Sequence, residues 1–298
     1  MLKKLQKAYD KSLVTKITIV TLVVLLSMII MIPLVIIAEM CGVNIRENTG
    51  LNFKVSLGNV FFFFLFGISS IAIIWGAQKY IHLKPLRELG LRSPLLYPVT
   101  FGFFTGAFIC SLRYLIFILN ADTVEFSSVI PDNISTISYL GYYIYFLIGF
   151  IFWNSFIEEL GTRAYPIEKL KNHMNPYLIF SITSLLFTLG HFVLNEFSIG
   201  YLLSLFSIAY IYSLLYYYSN SIWLVVGMHS GFNWIGFSFF GTNWKLGALY
   251  NTTISGIPDW ITEYTSTIIH LTFLVLIVYL FKRGFFRKYF PQRDGGSK

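Results

Sequence analysis

The stretch Ile17-Thr-Ile-Val-Thr-Leu-Val-Val-Leu-Leu-Ser-Met-Ile-Ile-Met-Ile-Pro-Leu-Val-Ile-Ile37 carries no charged side chain and is long enough to cross a bilayer. A lysine-rich start precedes it, as it would in a secretory signal. The run is too long for a signal core, however, and no small-residue cleavage site follows it. We therefore expect a retained first transmembrane helix.

Similar apolar runs recur along the whole chain, and eight of them are candidate spans. They cover residues 17–38, 60–81, 95–119, 137–158, 177–194, 199–218, 222–240 and 260–281. Charged residues make up 12% of the chain and apolar residues 56%, whereas soluble domains carry about 25% charged residues. The sequence therefore predicts one integral membrane domain over 1–298, an all-α, polytopic helical bundle of about eight transmembrane helices.

The basic residues support this arrangement. A net charge of +8 would suggest a nucleic-acid partner in a soluble protein, but here the Lys and Arg residues lie between the apolar runs. With a cytoplasmic N-terminus, 18 of the 22 fall in cytoplasmic segments, the exceptions being Arg46, Lys54, Arg113 and Lys245. We expect a multi-pass plasma-membrane protein with both termini cytoplasmic and no nucleic-acid partner. Its richness in Lys, Ile, Phe, Tyr and Asn is typical of an AT-rich bacterium.

A charged segment, Phe156-Ile-Glu-Glu-Leu-Gly-Thr-Arg163, lies at the end of the fourth span. Charged groups inside a bilayer cost roughly 2.5–3.5 kcal/mol on insertion scales, so they persist when paired or when facing a wet cavity. Glu159 and Arg163 are four residues apart, which predicts an ion pair on one helix face. Glu158 is turned about 100° away and is available for another role. Alternatively, the two glutamates simply end a membrane helix at the interface.

Two further spans carry histidines. His191 follows Phe187 by four residues in the fifth span, although a lone histidine on an apolar helix more often bonds a neighbouring carbonyl. His229 and Asn233 present an imidazole and a carboxamide on one face of the seventh span, where the alternative is an interhelical hydrogen-bond cluster. A hairpin turning near residues 172–176 would bring Glu158 and His191 to similar depth. Such groups at that depth indicate a functional site.

Together the segments Glu158-Glu159-x-x-x-Arg163, Phe187-x-x-x-His191 and His229-x-x-x-Asn233 resemble the three ordered motifs of a known family. It is the CPBP (CAAX protease and bacteriocin-processing, or Abi) family of intramembrane endopeptidases, to which the type II CAAX prenyl endopeptidase belongs. The resemblance covers about residues 137–240, which we take as the protease core.

The resemblance implies a role for each motif residue. Glu158 and His191 would activate a water for attack on a peptide carbonyl, and His229 and Asn233 would stabilise the oxyanion. Glu159 with Arg163 would hold the helix, and Phe187 would support the second motif.

The sequence leaves the need for a metal open. We favour a glutamate-dependent mechanism that requires no cofactor. The alternative is a zinc ion held by Glu158, His191 and His229, although the single-helix zinc-protease signature is absent.

The expected partners are the lipid bilayer and membrane-associated peptides or protein tails. By family analogy, the process is peptide pheromone or bacteriocin maturation, or self-immunity. One alternative is a proton-coupled transporter, although no inverted repeat is visible. Another is a non-catalytic membrane scaffold or immunity protein.

Overall fold

The computed structural model describes residues 6, 9, 11–43, 57–91, 96–128, 135–192, 196–240 and 249–290. Within these ranges the chain forms a bundle of apolar helices. The helices are α1 (Leu13–Met40), α2 (Val60–Ile81), α3 (Leu96–Leu119), α4 (Thr136–Leu170), α5 (Pro176–His191), α6 (Ile199–Ser219), α7 (Ile222–Phe239), α8 (Asp259–Lys282) and the short α9 (Phe285–Tyr289).

The predicted all-α, polytopic membrane bundle is confirmed, but the count of eight crossings is not. Helices occupy all eight predicted positions, yet among the described residues six are long and apolar enough to span a membrane. The two others are α5, with 16 residues, and α7, with 18. Both lie within residues 137–240, the predicted protease core. The polar His229 and Asn233 lower the mean hydropathy of α7.

Local capping explains where several helices begin. Ser135 accepts a hydrogen bond from the backbone N–H of Ser138 at the start of α4. Asn175 accepts one from the N–H of Tyr177, and Pro176 occupies the first turn of α5, a position that needs no backbone donor. α4 therefore ends and α5 begins around the predicted turn at residues 172–176.

One pair of strands joins two of the segments between helices. Strand β2 (Tyr250–Ser255) pairs antiparallel with β1 (Thr123–Ser128), and Thr123 lies opposite Ser255. Both strands are rich in Thr, Ser and aromatic or β-branched residues, which suit a pleated sheet. Each is only six residues long, so neither produced a clear alternating signal.

Glycines bring α3 and α7 into backbone contact. A Cβ atom placed on Gly106 of α3 would lie 1.8 Å from the carbonyl oxygen of Met228. One placed on Gly231 of α7 would lie 1.9 Å from the carbonyl oxygen of Phe103. Small residues permit this close approach between membrane helices. The contact fixes the part of α7 that carries His229.

The segments between helices meet at opposite ends of α7. At its start, the N–H of Ile222 donates to the carbonyl of Gly90, which lies in the segment after α2. At its end, the hydroxyl of Thr252 in β2 donates to the carbonyl of Phe239.

Several basic positions used in the topology prediction lie outside the described residues: Lys3, Lys4, Lys7, Arg46, Lys54, Arg92, Lys245, Arg293 and Lys298.

Candidate active site

α4 supplies two consecutive carboxylates that lie in different surroundings. Glu159 is fully buried, whereas the side chain of Glu158 is 24% exposed. A π-helical turn, Leu160–Ala164, begins directly after Glu159 and contains Arg163. Single π-helical turns within α-helices often occur at functional sites.

The predicted ion pair between Glu159 and Arg163 is present. Arg163 Nε lies 3.4 Å from Glu159 Oε2, and both side chains are buried. The guanidinium also donates to the hydroxyl of Thr162 and lies 4.1 Å from the ring centroid of Phe187. Because an unpaired buried charge is costly, these contacts account for the tolerance of an arginine inside the bundle.

His229 of α7 lies between the two carboxylates. Its Nδ1 is 2.9 Å from Glu159 Oε1, and its Nε2 is 3.8 Å from Glu158 Oε2. Since a carboxylate accepts hydrogen bonds, we assign the proton on Nδ1, which donates to Glu159. The second distance exceeds that of a hydrogen bond, so a water placed beside Nε2 and Oε2 could bond to both. The ring of Tyr212 stacks on the imidazole, with centroids 5.4 Å apart.

Asn154 orients the more exposed carboxylate. Its Nδ2 donates to Glu158 Oε1 over 2.6 Å, one helical turn along α4. This bond occupies one carboxylate oxygen and leaves Oε2 on the side of His229. Glu158 therefore lies beside the amide of Asn154 and the imidazole of His229 and not beside Arg163. This agrees with the prediction that its side chain is turned about 100° away from that of Glu159.

His191 is the last residue of α5, and its contact with Phe187 links it to this cluster. Its Nδ1 is 2.9 Å from the carbonyl oxygen of Phe187, and the two ring centroids are 4.4 Å apart. Phe187 in turn covers Arg163. Because the carbonyl accepts, Nδ1 carries the proton and Nε2 is the basic nitrogen. The contact is also the carbonyl bond expected of a merely structural histidine, so the catalytic role of His191 stays a prediction.

Asn233 is half-buried one helical turn beyond His229. Within the described residues its side chain forms no hydrogen bond, and its oxyanion role likewise stays a prediction.

Three residues around the site were not identified from the sequence. Asn154 and Thr162 have signals in retrospect, since Asn154 precedes Glu158 by four residues and Thr162 stands next to Arg163. Tyr212 lies on α6, where it is one of many aromatic residues in an apolar helix. No local pattern distinguishes it from a packing residue.

The alternative zinc site requires Glu158, His191 and His229 to converge. Among the described residues no group of three or more His, Cys, Asp or Glu side chains is arranged to hold a metal ion. The residues present therefore do not fit a zinc ion in this conformation, and we derive no chemical step through one.

Comparison with known proteins points to the same segment. Residues 140–235 match the model of a family described as "Type II CAAX prenyl endopeptidase Rce1-like". The matched segment contains all three motifs, from Glu158 to Asn233. A comparison with curated proteins finds no match. This match supports a CAAX-type intramembrane protease as the general class of the protein. It also confirms the resemblance seen in the three motifs: residues 140–235 match the Rce1-like, type II CAAX prenyl endopeptidase family, consistent with the CPBP family of CAAX proteases.

Proposed function

We propose that this protein is an intramembrane endopeptidase that hydrolyses membrane-associated peptides or protein tails with Glu158 as the general base. The observation that carries the proposal is the contact of His229 with two carboxylates of α4, at 2.9 Å from Glu159 and 3.8 Å from Glu158. A buried carboxylate that fixes an imidazole beside a second, more exposed carboxylate suits acid–base chemistry.

In the first proposed step, Glu158 takes a proton from a water while the water oxygen attacks the peptide carbonyl carbon. A C–O bond forms, and the carbonyl π electrons move to oxygen. The bond from Asn154 to Oε1 leaves Oε2 as the proton acceptor. The family resemblance assigns His191 to the same water. Its basic Nε2 would have to move closer to Glu158 than in this structure to hold it.

The resulting oxyanion would be stabilised by hydrogen bonds from His229 and Asn233. Preorganised donors of this kind each contribute about 10²–10³-fold to rate in acyl transfer. Because Nδ1 of His229 donates to Glu159, donation from Nε2 requires the doubly protonated ring. That ring would lie between two carboxylates, which balances its charge.

Collapse of the tetrahedral intermediate breaks the C–N bond. As the oxyanion re-forms the carbonyl, the proton held by Glu158 passes to the leaving nitrogen, which gives a carboxylic acid and an amine. The acid then loses its proton to the amine, which gives a carboxylate and an ammonium product. Arg163, paired with Glu159, has no direct part in these steps. It holds the buried carboxylate in place for His229.

The proposed setting is a bacterial plasma membrane with both termini in the cytoplasm. The proposed substrates are peptide pheromone or bacteriocin precursors, or peptides recognised in self-immunity. This assignment rests on the family analogy and on the membrane location.

The test is cleavage of a quenched peptide library by the purified full-length protein in nanodiscs. We expect Glu158→Gln, His191→Ala, His229→Ala and Asn233→Ala to lose activity while keeping the wild-type unfolding midpoint. Matched controls are Glu196→Gln and His173→Gln, whose side chains are exposed and lie outside the three motifs. Both should retain activity.

Other outcomes would favour the alternatives. If the wild type cleaves nothing and Glu158→Gln keeps the cellular phenotype, the protein is a scaffold or an immunity factor. If instead it moves protons into proteoliposomes in a Glu158-dependent way, it is a transporter. We expect activity to survive a zinc chelator; stoichiometric zinc, removed together with activity, would contradict the metal-free mechanism.

A further inference from the structure

A cavity of about 430 Å³ lies at the end of α2, away from the catalytic motifs. It is lined by Trp75, Lys79, Leu83, Lys84, Pro85 and Leu86. These residues span the last turns of α2, including the π-helical turn Ala77–Ile81, and the segment that follows. The cavity therefore lies where an apolar helix passes into a polar connection.

The charge of the cavity is positive. Lys79 and Lys84 both line it, and Glu88 lies 3.6 Å from Lys84. Among the described residues, no carboxylate lies within ion-pair distance of Lys79. Its ammonium instead lies 4.7 Å from the ring centroid of Trp75 and 5.1 Å from that of Tyr80. Within the described ranges, the two lysines thus have one nearby carboxylate, that of Glu88.

The apolar side of the cavity is exposed. Of its lining residues, Trp75 is 43% exposed and Leu83 69%; Tyr80, which lies beside Lys79, is 41% exposed. Exposed Trp and Tyr side chains at the end of a membrane helix are typical of the membrane–water interface. The cavity therefore combines an apolar wall at the acyl-chain level with ammonium groups at the headgroup level.

Leu83 is held in an unfavourable backbone conformation. Its φ of 54° lies in the left-handed region, which is disfavoured for a residue with a β-carbon. Its side chain nevertheless projects outward beside the two lysines. A lipid chain packed against this side chain would cover its exposed apolar surface.

We infer that this cavity binds the headgroup of an anionic phospholipid. Lys79 and Lys84 contact the phosphate, and Trp75 and Leu83 pack on the upper part of the acyl chains. Two ammonium groups select an anionic lipid over a zwitterionic one, because each basic residue near a membrane surface contributes about fivefold to the binding of anionic lipid. The site is independent of the peptidase proposal.

The experiment titrates the purified full-length protein, in non-ionic detergent, with short-chain phosphatidylglycerol, short-chain phosphatidylcholine or inorganic phosphate. The readout is the rise in unfolding midpoint with ligand concentration, which gives an apparent dissociation constant. The test variant is Lys79→Gln with Lys84→Gln. The matched control, Lys282→Gln with Lys288→Gln, removes the same charge at residues that do not line the cavity.

We expect saturable stabilisation by phosphatidylglycerol alone, weakened roughly tenfold or more in the test variant and less than about twofold in the control. Equal weakening in both variants would overturn the site, since binding would then follow total charge. Equal binding of inorganic phosphate would overturn the lipid assignment. If the double variant does not fold, the single variant Lys84→Gln replaces it, because that side chain is 56% exposed and its loss should leave the fold intact. An unchanged affinity of Lys84→Gln for phosphatidylglycerol would contradict the inference.

Discussion

Two adjacent glutamates of α4 have different surroundings because the helix turns about 100° per residue. Glu159 points into the bundle, where it contacts Arg163 and Nδ1 of His229. Glu158 points to a more open side, where Asn154 holds one of its oxygens. In the proposed mechanism, the buried carboxylate therefore orients the imidazole while the exposed one meets water and substrate.

This division gives Asn154 a positioning role that can be tested. Asn154→Ala removes the only described donor to Glu158 Oε1 and frees the carboxylate to rotate. We expect kcat to fall by roughly tenfold to a hundredfold, since misplacement of a catalytic group by about 1 Å has that effect. KM and the unfolding midpoint should change little. Steady-state kinetics on a cleaved peptide provide the measurement.

The control for Asn154 is Asn172→Ala, in the exposed turn after α4. It should match the wild type in kcat, KM and unfolding midpoint. A rise in KM with unchanged kcat in Asn154→Ala would mean that this residue contacts substrate and does not orient Glu158.

At the scale of elements, the site depends on how α7 lies against α3. Glycines on both helices meet the backbone of the other, as at Gly106 and Gly231. No larger residue permits that distance, so the depth and rotation of α7 are fixed on this side. His229 stands two residues before Gly231, and its approach to Glu159 depends on the same contact.

Gly231→Ala should therefore weaken both the fold and the site. The added methyl group would lie 1.9 Å from the carbonyl oxygen of Phe103, and backbone cannot move aside as a side chain can. We expect a loss of about 1–3 kcal/mol in unfolding free energy together with a loss of peptidase activity. Denaturation of the purified protein and peptide cleavage provide the two readouts.

Gly141→Ala is the matched control, because a Cβ atom there meets nothing within 4 Å. It should be neutral or slightly stabilising, as alanine is the better helix former. Equal loss of stability in both variants would show that the α3–α7 contact is not tight.

A second element-scale contact joins the segment after α2 to α4. His82 Nε2 lies 2.9 Å from the hydroxyl of Tyr165, while Nδ1 is buried and has no partner among the described residues. Burial, with smaller contributions from Lys169 and Lys16, lowers the pKa of His82 from 6.5 to about 3. A protonated ring would leave an N–H group without an acceptor in a positive environment.

The depressed pKa of His82 predicts acid sensitivity. Between about pH 6.5 and pH 3 the unfolded chain binds a proton at this position and the folded chain does not. The contribution to stability is thus complete above pH 6.5 and is lost as pH falls towards 3. Unfolding midpoints measured across this range should fall less steeply in His82→Gln than in the wild type. His173→Gln, in an exposed turn, should follow the wild type; identical slopes in all three proteins would contradict the assignment.

At the scale of the whole molecule, the sequence predicts those contacts that depend on the spacing of residues along one helix. Glu159 and Arg163 are one helical turn apart, so their ion pair follows from the sequence alone. The bond between Glu159 and His229 joins residues 70 positions apart and depends on how two helices pack. The stacking of Tyr212 on His229 and the pairing of β1 with β2 also arise from packing. Such contacts become visible only when the helices are assembled.

The packing supports the predicted alternation of the spans. Strand β1 follows α3 and β2 precedes α8, and their pairing brings two segments predicted to lie outside together. Gly90, in the segment after α2, meets Ile222, at the turn between α6 and α7, and both were predicted to lie inside. The pairs sit at opposite ends of α7, which is where the predicted alternation would place them; the orientation in the membrane stays a prediction.

Cysteine labelling tests the direction of that arrangement. In a background of Cys41→Ser and Cys110→Ala, Glu125→Cys places a thiol on β1 and Asn172→Cys places one on the turn after α4; both positions are exposed. With cytoplasmic termini, a membrane-impermeant maleimide should label Glu125→Cys in intact cells and Asn172→Cys only after lysis, because the two sites lie on opposite sides of the membrane. The reverse pattern would invert the orientation and place the termini outside. Labelling of both sites in intact, unlysed cells would contradict the packing itself, since β1 and the turn after α4 could not then lie at opposite ends of the bundle.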